Sequence, residues 1–161
     1  MACGPAAQQG EDDEAAELRA LERRAHLSAT ADSNGDGYSD IVFRNQVTGD
    51  NFIWAMGAGQ QVQATLELPK VTNLAWQVVA AGDVNSDHHP DLFWRNNSTG
   101  QNAIWLMNGA DRQSVIFLPT APSVNWHIGG TADFTGDGQG DILWRNDVTG
   151  QNCVWPMDGP E

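Results

Sequence analysis

The chain has 161 residues, a formal net charge of −13, 40% hydrophobic residues and two cysteines, Cys3 and Cys153. That acid excess disfavours nucleic acid and anionic membrane surfaces, which both reward Lys and Arg. No apolar run approaches the roughly 18 residues of a membrane helix, and two distant cysteines make no disulfide framework.

Residues 1–10 read as an unstructured tail. Ala2-Cys3-Gly4 resembles the mature start of a bacterial lipoprotein, which would place a lipid anchor on Cys3. Residues 11–25 predict a short α-helix or spacer, with acids first and arginines last to suit the helix dipole. Leu18, Leu21 and Ala25 form its narrow apolar stripe.

From residue 26 one unit recurs. Asp32, Asp83 and Asp133 each open an acidic, glycine-containing loop. The loops lead into Ile41-Val-Phe-Arg-Asn45, Leu92-Phe-Trp-Arg-Asn96 and Ile142-Leu-Trp-Arg-Asn146. Later markers keep step: Thr48-Gly49, Thr99-Gly100 and Thr149-Gly150, then Asn51, Asn102 and Asn152, then Trp54, Trp105 and Trp155, then Met56, Met107 and Met157. The period near 50 residues points to propeller blades or a similar array. The repeats divide as approximately 26–81, 82–131 and 132–161.

The second unit predicts strands at Asp91–Arg95, Gln101–Met107, Gln113–Leu118 and Trp126–Gly129, separated by turn signals such as Asn108-Gly109. Four short strands in a meander describe a propeller blade. The expected fold is all-β: a partial β-propeller of about two and a half four-stranded blades behind the N-terminal helix. Propellers typically close with about 4–8 blades, so either self-association or membership of a longer protein is expected, an open array with its end covered by the helix being the alternative. Cys153 aligns with Ala103 and Phe52, positions that read as half-buried packing.

Nine of the 21 carboxylates fall at positions 1, 5 and 9 of the three loops. Hard cations such as Ca²⁺ take six to eight oxygen ligands from flexible loops, and alternate residues of a tight turn converge on one point. Up to three Ca²⁺ ions are expected. Site one comprises Asp32, Asn34, Asp36, the Tyr38 carbonyl and Asp40; site two, Asp83, Asn85, Asp87, the His89 carbonyl and Asp91; site three, Asp133, Thr135, Asp137, the Gln139 carbonyl and Asp141. Gly37 and Gly138 fill position 6, where a left-handed residue is favoured. His88 stands there in site two, so that site is expected to be weakest, and Thr135 is a poorer ligand than an amide. Asx-turns without metal are the alternative. The oxygen-rich surroundings of His88-His89 do not suit zinc.

The recurring tryptophans read mostly as packing between blades, an exposed one being suited to stacking on a sugar ring. The Arg-Asn and Gln-Asn pairs either bridge strands and turns or donate to sugar hydroxyls. No serine elbow, Cys/His pair or histidine-rich metal motif is present, so no enzyme activity is expected.

The pattern Asp-x-Asn-x-Asp-Gly-x-x-Asp, three apolar residues, Arg-Asn, then Thr-Gly-Gln-Asn-x-x-Trp-x-Met-Asn-Gly resembles the FG-GAP/VCBS repeats of bacterial surface and secreted proteins, relatives of integrin α-subunit blades. It covers about residues 26–161. The literal Phe-Gly and Gly-Ala-Pro signatures are replaced by Gly129-Gly-Thr-Ala132 and Ala80-Ala-Gly82. The resemblance implies a β-propeller-type fold, Ca²⁺ in the loops and an extracellular or cell-surface setting. Three readings of function stay open: an adhesion module for a glycan or surface protein, a non-catalytic accessory part of a secreted polysaccharide-active enzyme, and a purely structural repeat.

Overall fold

The computed structural model describes residues 25–159. The expected tail (1–10) and the expected helix up to residue 24 lie outside the described residues; Ala25 opens the first strand. The first sheet takes strands β1 (Ala25–Ala31), β2 (Asp40–Asn45), β3 (Asn51–Gly57) and β4 (Gln61–Leu68) in chain order. The second repeats this with β5 (Trp76–Gly82), β6 (Asp91–Asn96), β7 (Asn102–Asn108) and β8 (Asp111–Leu118). The third has β9 (Trp126–Ala132), β10 (Asp141–Asn146) and β11 (Asn152–Trp155). All pairings are antiparallel.

The expected strands are present, but the sheet boundary differs from the expected meander. Trp126 and its neighbours do not close the second sheet; they pair forward with β10, Trp126 opposite Asn146. Each acidic loop therefore joins the first and second strands of one sheet. By the same phase β1 completes the first sheet, giving two four-stranded sheets and one three-stranded sheet among the described residues.

β1 lies against β5, and β5 against β9, so first strands form the inner line. Register shifts recur there, between Leu27 and Ala29, between Val78 and Ala80, and opposite Leu143/Trp144. Such bulges raise local twist. The outer strands β4 and β8 are largely exposed and carry Gln61, Gln63 and Glu67, and Asp111, Arg112 and Gln113. Polar and charged side chains on an edge discourage further strand pairing.

Both faces of β6 are buried, as an unbroken apolar run requires. Leu92 and Trp94 turn toward the first sheet, where they meet Val42, Ile53 and Leu68 together with Trp105 and Met107. Phe93, with Ile104 and Leu118, turns toward the third and meets Ile128, Ile142, Trp144 and Met157. Each large apolar side chain fully buried here contributes about 1.5–3 kcal/mol. Trp94, Trp105 and Trp144 thus pack between sheets, while Trp54, Trp76, Trp126 and Trp155 are half-buried.

Cys153 corrects its expected environment: it is exposed, whereas Ala103 and Phe52 are buried. Ala103 is flanked by Val115 and Phe117 of β8. β11 has no fourth strand beside it among the described residues, so nothing shields the thiol.

Candidate metal centres

The three loops share one hydrogen-bonded form. In each, the position-1 carboxylate collects backbone N–H groups from the turn around it. Asp32 Oδ1 accepts from Gly35 N (2.8 Å) and Asp36 N (3.2 Å), and its Oδ2 from Gly37 N (2.8 Å). Asp83 accepts from the amides of Asn85, Asp87 and His88. Asp133 accepts from those of Gly136, Asp137 and Gly138. At position 3, Asn34 Oδ1 accepts from Asp36 N (3.0 Å) and Asn85 Oδ1 from Asp87 N (3.1 Å). At position 5, Asp36, Asp87 and Asp137 each take the amide of position 7, that of Tyr38, His89 or Gln139, at 2.8–2.9 Å. Positions 1, 3 and 5 are thereby brought together in the first two loops, and positions 1 and 5 in the third.

Position 9 does something else. Asp40, Asp91 and Asp141 begin β2, β6 and β10 and are fully buried. One oxygen reaches back to the loop: Ser33 N donates to Asp40, Val84 N to Asp91, and Phe134 N and Thr135 N to Asp141, at 2.8–3.1 Å. The Ser33 hydroxyl also donates to Asp40. The other oxygen accepts from Met56, Met107 or Met157 N at 2.8–2.9 Å. One carboxylate thus ties the loop entry to the far end of the next strand. The constant 16-residue interval from each of these aspartates to its methionine was the sequence signal for this tie.

The environments of position 9 differ. Burial pushes the Asp91 carboxyl up to about 6; the Met107 and Val84 amides oppose the rise, and the charges of Asp87 and Asp83 add to it. At Asp141 the Met157 amide acts first, and with the Phe134 and Thr135 amides it holds the carboxyl below the ordinary range.

Two positions per loop carry positive φ. Position 6 was expected: Gly37 (88°), His88 (68°) and Gly138 (87°). Position 4 was missed: Gly35 (74°), Ser86 (62°) and Gly136 (81°). Glycine at two of the three copies was the available signal. The second loop therefore holds two non-glycine residues in left-handed backbone, each costing about 1–2 kcal/mol relative to ordinary conformations. It is braced against the third loop, where Gly140 N donates to Asp83 O (2.8 Å) and Ser86 Oγ to Gly138 O (3.1 Å).

The Arg-Asn pairs resolve as internal bridges. Arg44 and Arg95 are fully buried. Their Nη1 atoms donate to Gly49 O and Asn51 Oδ1, and to Gly100 O and Asn102 Oδ1. Their Nη2 atoms reach Val71 O and Asn73 O, and Ser123 O. Burial lowers both guanidinium pKa values. Asn45, Asn96 and Asn146 fold the following turn by accepting two amides each. Arg44 and Arg95 are therefore withdrawn from any sugar hydroxyl.

The donor set suits a hard cation: oxygen only, with carboxylates at positions 1 and 5 and amide or hydroxyl oxygen at position 3. A carboxylate offers about four lone-pair sites, so the position-1 groups keep capacity beyond their three amides. The position-9 carboxylates accept two or three donors each, so they too keep capacity while bracing the loop. Among the described residues no three acidic, His or Cys side chains gather into a ready-made cage. The fit is clearest at positions 1, 3 and 5, with the position-9 carboxylate at the loop's exit able to add an oxygen.

Meanders of short strands set sheet against sheet, first strands inward, define a β-propeller-type repeat protein. The FG-GAP-like repeat model matches residues 32–94 and 83–144, more than half of the sequence, and the chain belongs to that family. No curated protein and no solved structure shows a match.

Proposed function

We propose that the chain is a calcium-binding repeat module of an extracellular or cell-surface protein, presenting rigid sheets for adhesion to a glycan or protein surface. The supporting observation is the recurrence of one loop form, with carboxylates at positions 1 and 5 wrapped by inward amides, at the entry to three sheets. Asp32, Asn34 and Asp36, Asp83, Asn85 and Asp87, and Asp133, Thr135 and Asp137 would hold the ions. The carbonyls of Tyr38, His89 and Gln139, and the carboxylates of Asp40, Asp91 and Asp141, complete the expected donor sets. A bound cation neutralises acids that otherwise repel within one loop, and so stiffens the start of each second strand. Family membership supports the extracellular setting. No helix among the described residues is long and apolar enough to cross a membrane; a lipid on Cys3 would supply attachment.

Calorimetric titration with Ca²⁺ is expected to show up to three sites. The melting temperature should rise with calcium and fall in chelator, because an ion that binds only the folded state stabilises it by mass action. Asp137→Ala should remove the third site and spare the first. No heat and an unchanged melt would sink the metal reading. Screening immobilised glycans and matrix proteins, with and without chelator, tests the adhesive role separately; the absence of calcium-dependent binding to any of them would count against it.

A further inference from the structure

The two internal junctions use the same device. Arg44 of the first sheet lays its guanidinium over Trp94 of the second, 5.3 Å from the ring centroid. Arg95 of the second covers Trp144 of the third at 5.2 Å. In each case the arginine is anchored from behind by its own turn, and its sheet's apolar face packs on the next sheet.

The outer face of the third sheet repeats the donating half. Arg145 is exposed, with Nη1 3.2 Å from Asn152 Oδ1. Leu143 and Val154, cross-strand partners, occupy the repeat positions of Phe93 and Ile104; Val154 is 38% exposed, whereas Ile104 is 0%. The outer face of the first sheet repeats the receiving half. Phe43, Trp54 and Met56 stand where the second sheet has Trp94, Trp105 and Met107, and all three are half-buried. Phe43 packs on Phe52 (5.4 Å) and Trp54 (4.5 Å), beside a cleft of about 420 Å³ bordered by Asp50, Glu67 and Lys70. The corresponding cleft of the second sheet holds about 200 Å³, with Val71 of the first sheet on its wall. One end of the described structure therefore offers an arginine, and the other an aromatic cluster near Glu67 and the Asp50–Lys70 ion pair.

We infer that a second copy of this chain docks head to tail, with Arg145 of one copy over the Phe43 ring of the other. The surfaces are the two halves of a junction the molecule already makes twice. Neither half is self-complementary, so the contact is heterologous and adds copies in one direction, as a ring or an open array. It stands on the strand faces and not on the loops, so it is independent of the metal reading.

Sedimentation of the full 161-residue chain, from about 1 μM to about 500 μM to span weak and moderate affinities, reads the result in calcium and in chelator. The mean mass should climb with concentration. Arg145→Ala and Phe43→Ala should each weaken association by at least about tenfold, since each removes one partner of the stacked pair. An equimolar mixture of the two variants should form a heterodimer and stop there, because each retains the half the other lacks. Phe43→Leu, which keeps apolar volume, serves if Phe43→Ala fails to fold. A chain monomeric throughout, association indifferent to Arg145→Ala, or variants that do not complement would overturn the inference.

Discussion

Arg44, Arg95 and Arg145 occupy one repeat position in three surroundings, and replacing them measures what the surroundings contribute. Arg95→Ala removes three hydrogen bonds, to Gly100 O (3.1 Å), Asn102 Oδ1 (2.8 Å) and Ser123 O (3.1 Å), and the stacking on Trp144. It also opens a space in a fully packed junction. Each buried acceptor left unpaired costs about 1–3 kcal/mol, and the cation–π contact adds about 1–2 kcal/mol. Relaxation and partial hydration keep such terms from adding in full, so the expected loss is about 3–5 kcal/mol. Arg145→Ala gives up one exposed 3.2 Å contact, and its expected cost is within about 0.5 kcal/mol. Urea unfolding, followed by tryptophan fluorescence at concentrations where the chain is monomeric, compares the two. Junctions in repeat proteins need not melt together, so the transition that reports Trp144 is the one to read. Equal losses for Arg95 and Arg145, or a loss below about 1 kcal/mol for Arg95, would refute the assignment of junction stability to this device.

Two backbone predictions are read from thermal melts. A Cβ at Gly49, where φ is 79°, would lie 2.2 Å from Val71 O, while one at Gly100 (φ 74°) meets nothing nearer than Thr120 Cγ2 at 3.5 Å. Gly49→Ala should therefore cost clearly more than Gly100→Ala, whose loss should stay near the roughly 1–2 kcal/mol of left-handed strain alone; equal shifts would show that the Val71 segment yields freely. His88→Gly, at a φ of 68°, should raise stability by about 0.5–1 kcal/mol, the relief of strain exceeding the entropy glycine gains in the unfolded chain. A lower melting temperature would mean that the His88 side chain, 4.0 Å from Asp83 Oδ2, contributes more than its strain costs.

The local elements were legible because they are written in local chemistry. The unbroken apolar run of β6, the glycine after Thr48, Thr99 and Thr149, and the acidic loops each need only their neighbours in sequence, and the structure places strands and turns there. The phase of the sheets was not legible. A repeat looks the same wherever counting begins, so a period near 50 residues cannot say whether Trp126 ends one sheet or starts another. That depends on pairing with Asn146 across the loop. The position-9 aspartates show a related limit. Their spacing matched a ligand series and said nothing of the second task the structure gives them, accepting the amides of Met56, Met107 and Met157, 16 residues away.

Copies of a motif inherit their letters from the repeat but their energetics from what lies beside them. Trp94 and Trp144 are buried because an arginine and an apolar face arrive from the preceding sheet; Phe43, at the same position, is half-exposed among its own aromatics. Cys153 is open to solvent where Ala103 is closed, because among the described residues no strand lies beside β11 as β8 lies beside β7. Stability in such an array is close to a sum of unit terms and nearest-neighbour junction terms. The buried guanidinium therefore matters more than its own charge: with no carboxylate bonded to it, it is held by oxygens of its own turn and of the linker that follows, and its remaining face is covered by one ring that the next sheet supplies. An arginine placed this way fastens one sheet's turn and the following linker to a ring of the next sheet, so that each sheet depends on its neighbour.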